Sequence, residues 1–478
     1  DEVSVQAGTL RLGGSDRLAD TAVLSVGANA ILDLQGFDET VGSAWLSGTL
    51  NGWSMPFSPQ PDVFDKSPEL VAWNPPPPGS GTLTAAHYYL DGAEIFANLG
   101  TGILINTGGD TILYGTAAAG QVTVEAGTLM LGISDRLADT ATLSVWGNAT
   151  LDLMGNDETV ALALIRGSLN SRQPNRVGPA TMPFRVDGPQ AGMFLGTGTL
   201  TAAEYQLDGA WVSANLGTGN LFNTGGVSTL YGTAAAGLVS VQTGTLRLGQ
   251  SDRLADTATV SVLSGATLDL MGNDETVDLA VLNGALDSTR FYLIPTLGAD
   301  TTGPEPASWV PLPTGTGTLT AAQYQLNGAT INANLGTGSL FNTGGVSTLN
   351  GTAAASGLSI QAGTLRLGAS DRLADTALVA VSSGATFDVN SRTETIGSLF
   401  GAGNVAIGSG RLTLGGAESA FGGSLSGTGS LVHTGGLFIL SGSHSLQTLS
   451  NTGGELRWLG SSSGSVVVSG GSLTGAGT

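Results

Sequence analysis

Ser15-Asp16-Arg17-Leu18-Ala19-Asp20-Thr21-Ala22 returns letter for letter from Ser134, Ser251 and Ser370, at intervals of 119, 117 and 119 residues. A unit of about 118 residues is therefore copied roughly four times, the mark of a repeat array that buries its core between neighbouring units. Working outward from the first octet, apolar residues come as short alternating runs such as Thr9-Leu10-Arg11-Leu12 and Ala30-Ile31-Leu32-Asp33-Leu34, each ended by Gly, Asn or Asp. That pattern predicts many short strands joined by tight turns. The strand candidates of the first period are Val3 to Leu12, Val23 to Leu34, Val41 to Leu50, Thr82 to Leu90, Glu94 to Leu99 and Ile103 to Tyr114. No helical spacing long enough for a crossover lies between them, so the architecture is all-β. Copying the whole strand series suits an open-ended stack, a β-solenoid, better than a closed sandwich.

Alternation assigns the faces. Leu10 and Leu12 point inward around Arg11, whose place is taken by Met130, Arg247 and Arg366 in later copies. Leu32 and Leu34 flank an outward Asp33, with Leu151/Leu153, Leu268/Leu270 and Phe387/Val389 as counterparts. The octet reads as a one-turn helical corner: Ser15 caps, Asp16 sits in the first turn and Leu18 tucks inward. Asp16, Arg17, Asp20 and their copies Asp135, Arg136, Asp139, Asp252, Arg253, Asp256, Asp371, Arg372 and Asp375 are assigned a structural role. Each arginine should be held by the aspartate three residues on, or by nearby carbonyls. Asparagines in Asn-Leu-Gly-Thr-Gly (Asn98, Asn215, Asn334) and Asn-Thr-Gly-Gly (Asn106, Asn223, Asn342, Asn451) read as turn formers whose amides bond neighbouring turns.

Composition narrows the function. A formal charge of −21 and a pI near 4.2 disfavour nucleic acid and anionic lipid surfaces as partners. The chain has no cysteine, so it forms no disulfide and offers no cysteine nucleophile. No run approaches the ~18 apolar residues of a membrane span. The conspicuous acids recur in register, as in Asp38-Glu39-Thr40-Val41, Asp157-Glu158-Thr159-Val160 and Asp274-Glu275-Thr276-Val277, whereas a one-off catalytic centre should break register. His87 stands where Glu204 and Gln323 stand in later copies, which fits a polar surface position and no Ser-His-Asp site. Neither a catalytic residue, nor a metal site, nor a cofactor is expected.

Runs such as Ala7-Gly8-Thr9-Leu10-Arg11-Leu12-Gly13, Ser383-Gly384-Ala385-Thr386-Phe387-Asp388-Val389 and Gly408-Ser409-Gly410-Arg411-Leu412-Thr413-Leu414 resemble the strand repeats of autotransporter passengers and filamentous-haemagglutinin-like exoproteins. The resemblance covers nearly the whole chain. It implies a right-handed parallel β-helix, type V secretion from a Gram-negative bacterium, and extracellular display at the cell surface as an adhesin or fibre.

Three segments break the solenoid pattern at equivalent places, near 52–79, 171–196 and 288–315, within a β-helix spanning 1–400. Shorter Gly-rich repeats without an insertion continue it over 401–478. Long loops in a regular array are where function sits, or tolerated decoration. The first carries Asp62, Asp65, Glu69 and Lys66, net −2; the second Arg172, Arg176, Arg185 and Asp187, net +2; the third Arg290, Asp300 and Glu305, net −1. Opposite charge can clamp successive loops. Their aromatics, Trp53, Trp73, Phe184, Phe194, Tyr292 and Trp309, are the candidate binding residues, suited to a sugar or a partner. The function expected is a non-catalytic shaft of a large secreted or cell-surface adhesin, with loops contacting a host or neighbouring-cell glycan or protein, or another copy. Two rivals stand beside it: a self-assembling extracellular filament, and a β-helical polysaccharide lyase or hydrolase.

Overall fold

The computed structural model describes residues 1–53, 79–172, 196–289, 291–294, 308–311 and 317–478. They divide into two compact units, Asp1–Ala236 and Gly237–Thr478. Each is an all-β parallel solenoid, and no helix occurs among the described residues.

In the first unit the backbone of each strand pairs in parallel with the coil before and the coil after. Glu2–Arg11 pairs with Val23–Asp33, which pairs in turn with Glu39–Leu46 and Thr49–Asn51. One coil takes 18 residues from Leu104 to Val122 and 21 from Val122 to Leu143, measured between direct cross-strand partners. The inward positions stack in columns: Leu32, Leu50, Ile95 and Leu113 are successive neighbours, each at 0% exposure. The second unit repeats the arrangement, with Leu365, Phe387, Val405 and Leu425 in one buried column. The next rung is His444, 4% exposed. Burial lowers its pKa to about 4, so a neutral ring edges against Trp458 at 6.4 Å and fills an apolar place.

The outward residues between these leucines face one another across coils. Arg11–Asp33, Arg247–Asp269 and Arg366–Asp388 are direct cross-strand partners and ion pairs at 3.3, 3.6 and 2.8 Å. The same aspartates fold the following corner. The second carboxylate oxygen of Asp33, Asp269 and Asp388 accepts the amide two residues on, and Asp152 does the same, at 2.8–3.1 Å.

The asparagines of both motifs bond between coils. Nδ2 of buried Asn106 donates to the carbonyls of Gly108 and, one coil on, Ala126; Asn342 repeats this with Gly344 and Ala362. At the other corner the Asn98, Asn215 and Asn334 side-chain oxygens accept the amide and hydroxyl of Thr116, Thr233 and Thr352.

Two long strand candidates are shorter than alternation predicts, because a coil must turn a corner within them. The run Val41 to Leu50 breaks at Gly48, and Ile103 to Tyr114 divides into Ile103–Gly108 and Asp110–Leu113. Gly48 is required by crowding: a Cβ there would lie 2.3 Å from the Gly27 carbonyl oxygen and 2.4 Å from that of Ala30. Gly167 and Gly284 are equally crowded in the later copies. Replacing any of these three by Ala should cost about 1–3 kcal/mol in urea unfolding. Gly120→Ala, where a Cβ meets nothing within 4 Å, should stay within about 0.5 kcal/mol.

Candidate functional site: the octet clasp and the insertion doorways

The octet is not a helical turn. Asp16, Asp135, Asp252 and Asp371 all take a left-handed backbone, with φ between 53° and 56°, which no first helical turn allows. The serine hydroxyl does not cap its own segment; it accepts an amide from the following coil, that of Asp38, Asp157, Asp274 or Thr393. Asp20, Asp139, Asp256 and Asp375 begin a tight turn closed by a bond from the alanine two residues on to the alanine before, 2.8 Å in each copy. They form no ion pair with the arginines among the described residues. The carbonyl alternative holds instead: Arg136 donates through Nε to Ser134 and through Nη1 to Tyr114 of the preceding coil, and Arg372 donates likewise to Ser370 and Asn350. Arg253 makes the Nε bond to Ser251. Leu137, Leu254 and Leu373 are buried as expected, and Leu18 is half-buried.

What holds the octet from the other side is a residue that repeat reading left without a role. Glu39, Glu158, Glu275 and Glu394 are 0–2% exposed. In each copy the two carboxyl oxygens accept the consecutive amides of the arginine and leucine one coil earlier, at 2.7–3.3 Å. Burial pushes Glu158 and Glu275 up to about 7, against the three amides that donate to each, and the neighbouring Asp135 or Asp252 charge adds to the rise. Glu394 is raised for the same reasons. The signal was present in the sequence: in Asp-Glu-Thr-Val the Glu stands two residues from a core Val, hence on the inward face.

The adjacent Asp has a different task. A side-chain oxygen of Asp38, Asp157 and Asp274 accepts the amide of Thr82, Thr199 and Thr318, the first residues of the strands that return from the three insertions. Those doorways are closed. The Gly81 amide donates to the Gly52 carbonyl at 2.9 Å; Gly198 and Gly317 donate to the buried Ser171 and Ser288 hydroxyls at 2.9 and 3.0 Å. Six residues after that threonine comes a fully buried tyrosine, Tyr88, Tyr205 or Tyr324, whose hydroxyl donates to the carbonyl five residues back and accepts the amide three back.

Of the predicted binding aromatics, Trp73, Phe184 and Phe194 lie outside the described residues. Tyr292 and Trp309 fall on an antiparallel ribbon, Phe291–Ile294 against Ser308–Pro311, whose side chains are likewise outside the description. Trp53 is at the first doorway, packed on Phe96 at 5.0 Å, and Phe96 stacks on Tyr114 at 4.7 Å. The places of Asn51, Phe96 and Tyr114 are taken by Asn170, Ser213 and Tyr231 in the second copy, with the Ser213 hydroxyl on Asn170. In the third they hold a ladder of Asp287, Asn332 and Asn350 joined at 2.6 and 2.7 Å. The base of each insertion therefore differs chemically while its closure does not. An exposed aromatic pair that the loop-centred reading passed over, Trp45 on Tyr89 at 4.0 Å, stands on the outer face of neighbouring coils.

No family model, curated protein or solved structure matches the chain. No helix among the described residues is long and apolar enough to cross a membrane.

The raised carboxyls give stability a definite pH sign. Folded Glu158 and Glu275 hold their proton up to about pH 7, unfolded ones only to about 4.5. Their contribution is thus full below 4.5 and is lost as pH rises through 7. The thermal midpoint should fall between pH 5 and pH 8, and the Glu158→Gln/Glu275→Gln double variant should fall less. General acidic self-repulsion acts on both proteins alike, so equal slopes would show that burial does not set these pKa values.

Proposed function

We propose that the chain is the shaft of a large secreted or cell-surface bacterial adhesin or fibre, with the insertions serving as recognition or lateral-contact elements. The observation that carries this reading is the doorway. An excursion of more than twenty residues leaves and re-enters between atoms 2.9–3.0 Å apart, so the coil is complete without it. A dedicated carboxylate, Asp38, Asp157 or Asp274, receives the returning strand at each of the three doorways. A segment that the closing bond does not pass through, but whose returning strand is received by a repeated carboxylate, is suited to display. The buried ionisable groups support a structural role for the shaft itself, because each Glu is consumed by backbone amides in every copy. The bacterial, exported setting follows from the resemblance of the strand repeats to autotransporter passengers and filamentous-haemagglutinin-like exoproteins.

Joining Gly52 to Gly81, Ser171 to Gly198 and Ser288 to Gly317 through short glycine links should leave a folded β protein by circular dichroism. Its melting midpoint should lie within about 5 °C of the parent, since loop length enters stability only logarithmically. The trimmed protein should lose attachment to host or neighbouring cells and loss of self-assembly should accompany it if the loops act laterally. Attachment and assembly equal to the intact chain would refute the display role.

A further inference from the structure

The fourth octet has no insertion beside it, and what stands at its doorway has changed in four places. The acid that receives the return strand is Thr393 where the earlier copies have Asp38, Asp157 and Asp274. Its cross-strand partner is Arg411, in the place of Thr82, Thr199 and Thr318. The residue before it is Arg392, where Phe37, Asn156 and Asn273 stand. The residue before that is Ser391, left-handed at φ 59°, where Gly36, Gly155 and Gly272 carry the same conformation without a side chain. A serine held in a conformation suited to glycine is strained. Its hydroxyl accepts the amide of Ser409 at 3.1 Å.

Ser391, Thr393 and Arg411 open onto a shallow groove of about 390 Å³, with the exposed Arg392 between two of its lining residues in sequence. Thr393, Arg411, Ser430 and Thr448 are successive cross-strand neighbours along its floor, a span of ~14 Å at the usual strand spacing. Ser409, Thr428 and Gln447 line one side. No carboxylate lines the groove; the nearest in sequence, Glu394, is turned inward onto the Arg372 and Leu373 amides. Arg11, Arg247 and Arg366 are spanned by aspartates and Arg136, Arg253 and Arg372 by carbonyls, whereas the Arg392 and Arg411 guanidinium groups meet no acceptor among the described residues. Two exposed cations without acids, in a chain of net charge −21, make this a local reversal of sign.

We infer that this groove binds an acidic oligosaccharide, a uronate-bearing glycan, with Arg411 taking a sugar carboxylate and the serine and threonine hydroxyls taking ring hydroxyls. A guanidinium fork matches a carboxylate with two parallel bonds. Hydroxyl and amide side chains both donate and accept, as a sugar's own hydroxyls require. The floor offers no apolar socket for the side chains of a peptide and no aromatic platform for stacked bases. The inference is independent of the display role of the insertions, since it concerns the one copy that has none.

Calorimetric titration of the full chain with tetragalacturonate should show binding that weakens with salt, while neutral dextran oligomers and inorganic sulfate give none. Arg411→Ala should weaken it about tenfold or more, and Arg411→Lys most of the way to Arg411→Ala, because lysine lacks the fork. Unchanged melting curves would show the variants folded, as expected for exposed side chains. The assignment is overturned if tetragalacturonate does not bind, if the variants bind it as the parent does, or if sulfate alone binds equally. It is also overturned if Arg411→Ala alters only the oligomeric state in sedimentation, which would make the groove a contact between copies.

Discussion

A single coil of this chain cannot satisfy its own backbone. In the parallel ladder the strand amides and carbonyls point along the stacking direction and find their partners one coil away, so a coil depends on its neighbour being in place. The same constraint falls on the corners, where the chain leaves the ladder and its polar groups lose their regular partners. The octet is the sharpest case. Its arginine reaches back to carbonyls of its own serine and of the preceding coil, and its amides reach forward to the carboxyl of the following one. A corner with φ near +55° at a non-glycine residue is held from both sides because it would not otherwise persist.

The buried glutamate shows how that constraint selects a residue. Two consecutive amides project from the corner at nearly equal distance from one point of the next coil, and only a group with two acceptor oxygens at the end of a side chain answers both. Asp would fall a methylene short; Gln would turn one donor against another. Burial resists the charge, which is why the proton is held toward neutral pH even with amide donors present. The buried tyrosines, the interior asparagines and the serines at two doorways are other answers to the same need, each giving a buried main-chain group a partner.

Much of this was legible in the sequence, and the failures have a common cause. The inward leucines and their columns follow from period two and from the repeat spacing; the Arg–Asp rows across coils were not foreseen, since their members stand 22 residues apart. The position of the insertions was equally plain, since a break in a pattern needs no side-chain geometry to be seen. The octet was misread because Ser-Asp-x-x carries the local signature of a helix start. That signature is local, while the partners of Ser15 and Arg17 lie 23 and 22 residues away along the chain. The pairing of Arg17 with Asp20 failed on the same ground: contacts three residues apart face each other on a helix, and this is a left-handed corner followed by a turn. Loop aromatics were favoured as binding residues for their composition, yet Trp53 is engaged with Phe96 at the doorway.

Asp38 and Glu39 are adjacent, both acidic and both repeated, yet they answer to different things. The glutamate is present in all four copies because the octet is; the aspartate is present in the three that send out an insertion and is Thr393 in the one that does not. In a stack each coil touches only its neighbours, so a change at a doorway leaves the pairing of distant coils untouched. The solenoid positions are therefore tied to one another through the ladder, and the doorway positions are tied only to what passes through them. That separation lets one scaffold carry an acidic loop, a basic loop, an amide ladder and a basic groove at equivalent points. Among repeated units held to a single fold, the chemistry that distinguishes one face from the next is concentrated where the repeat departs from itself.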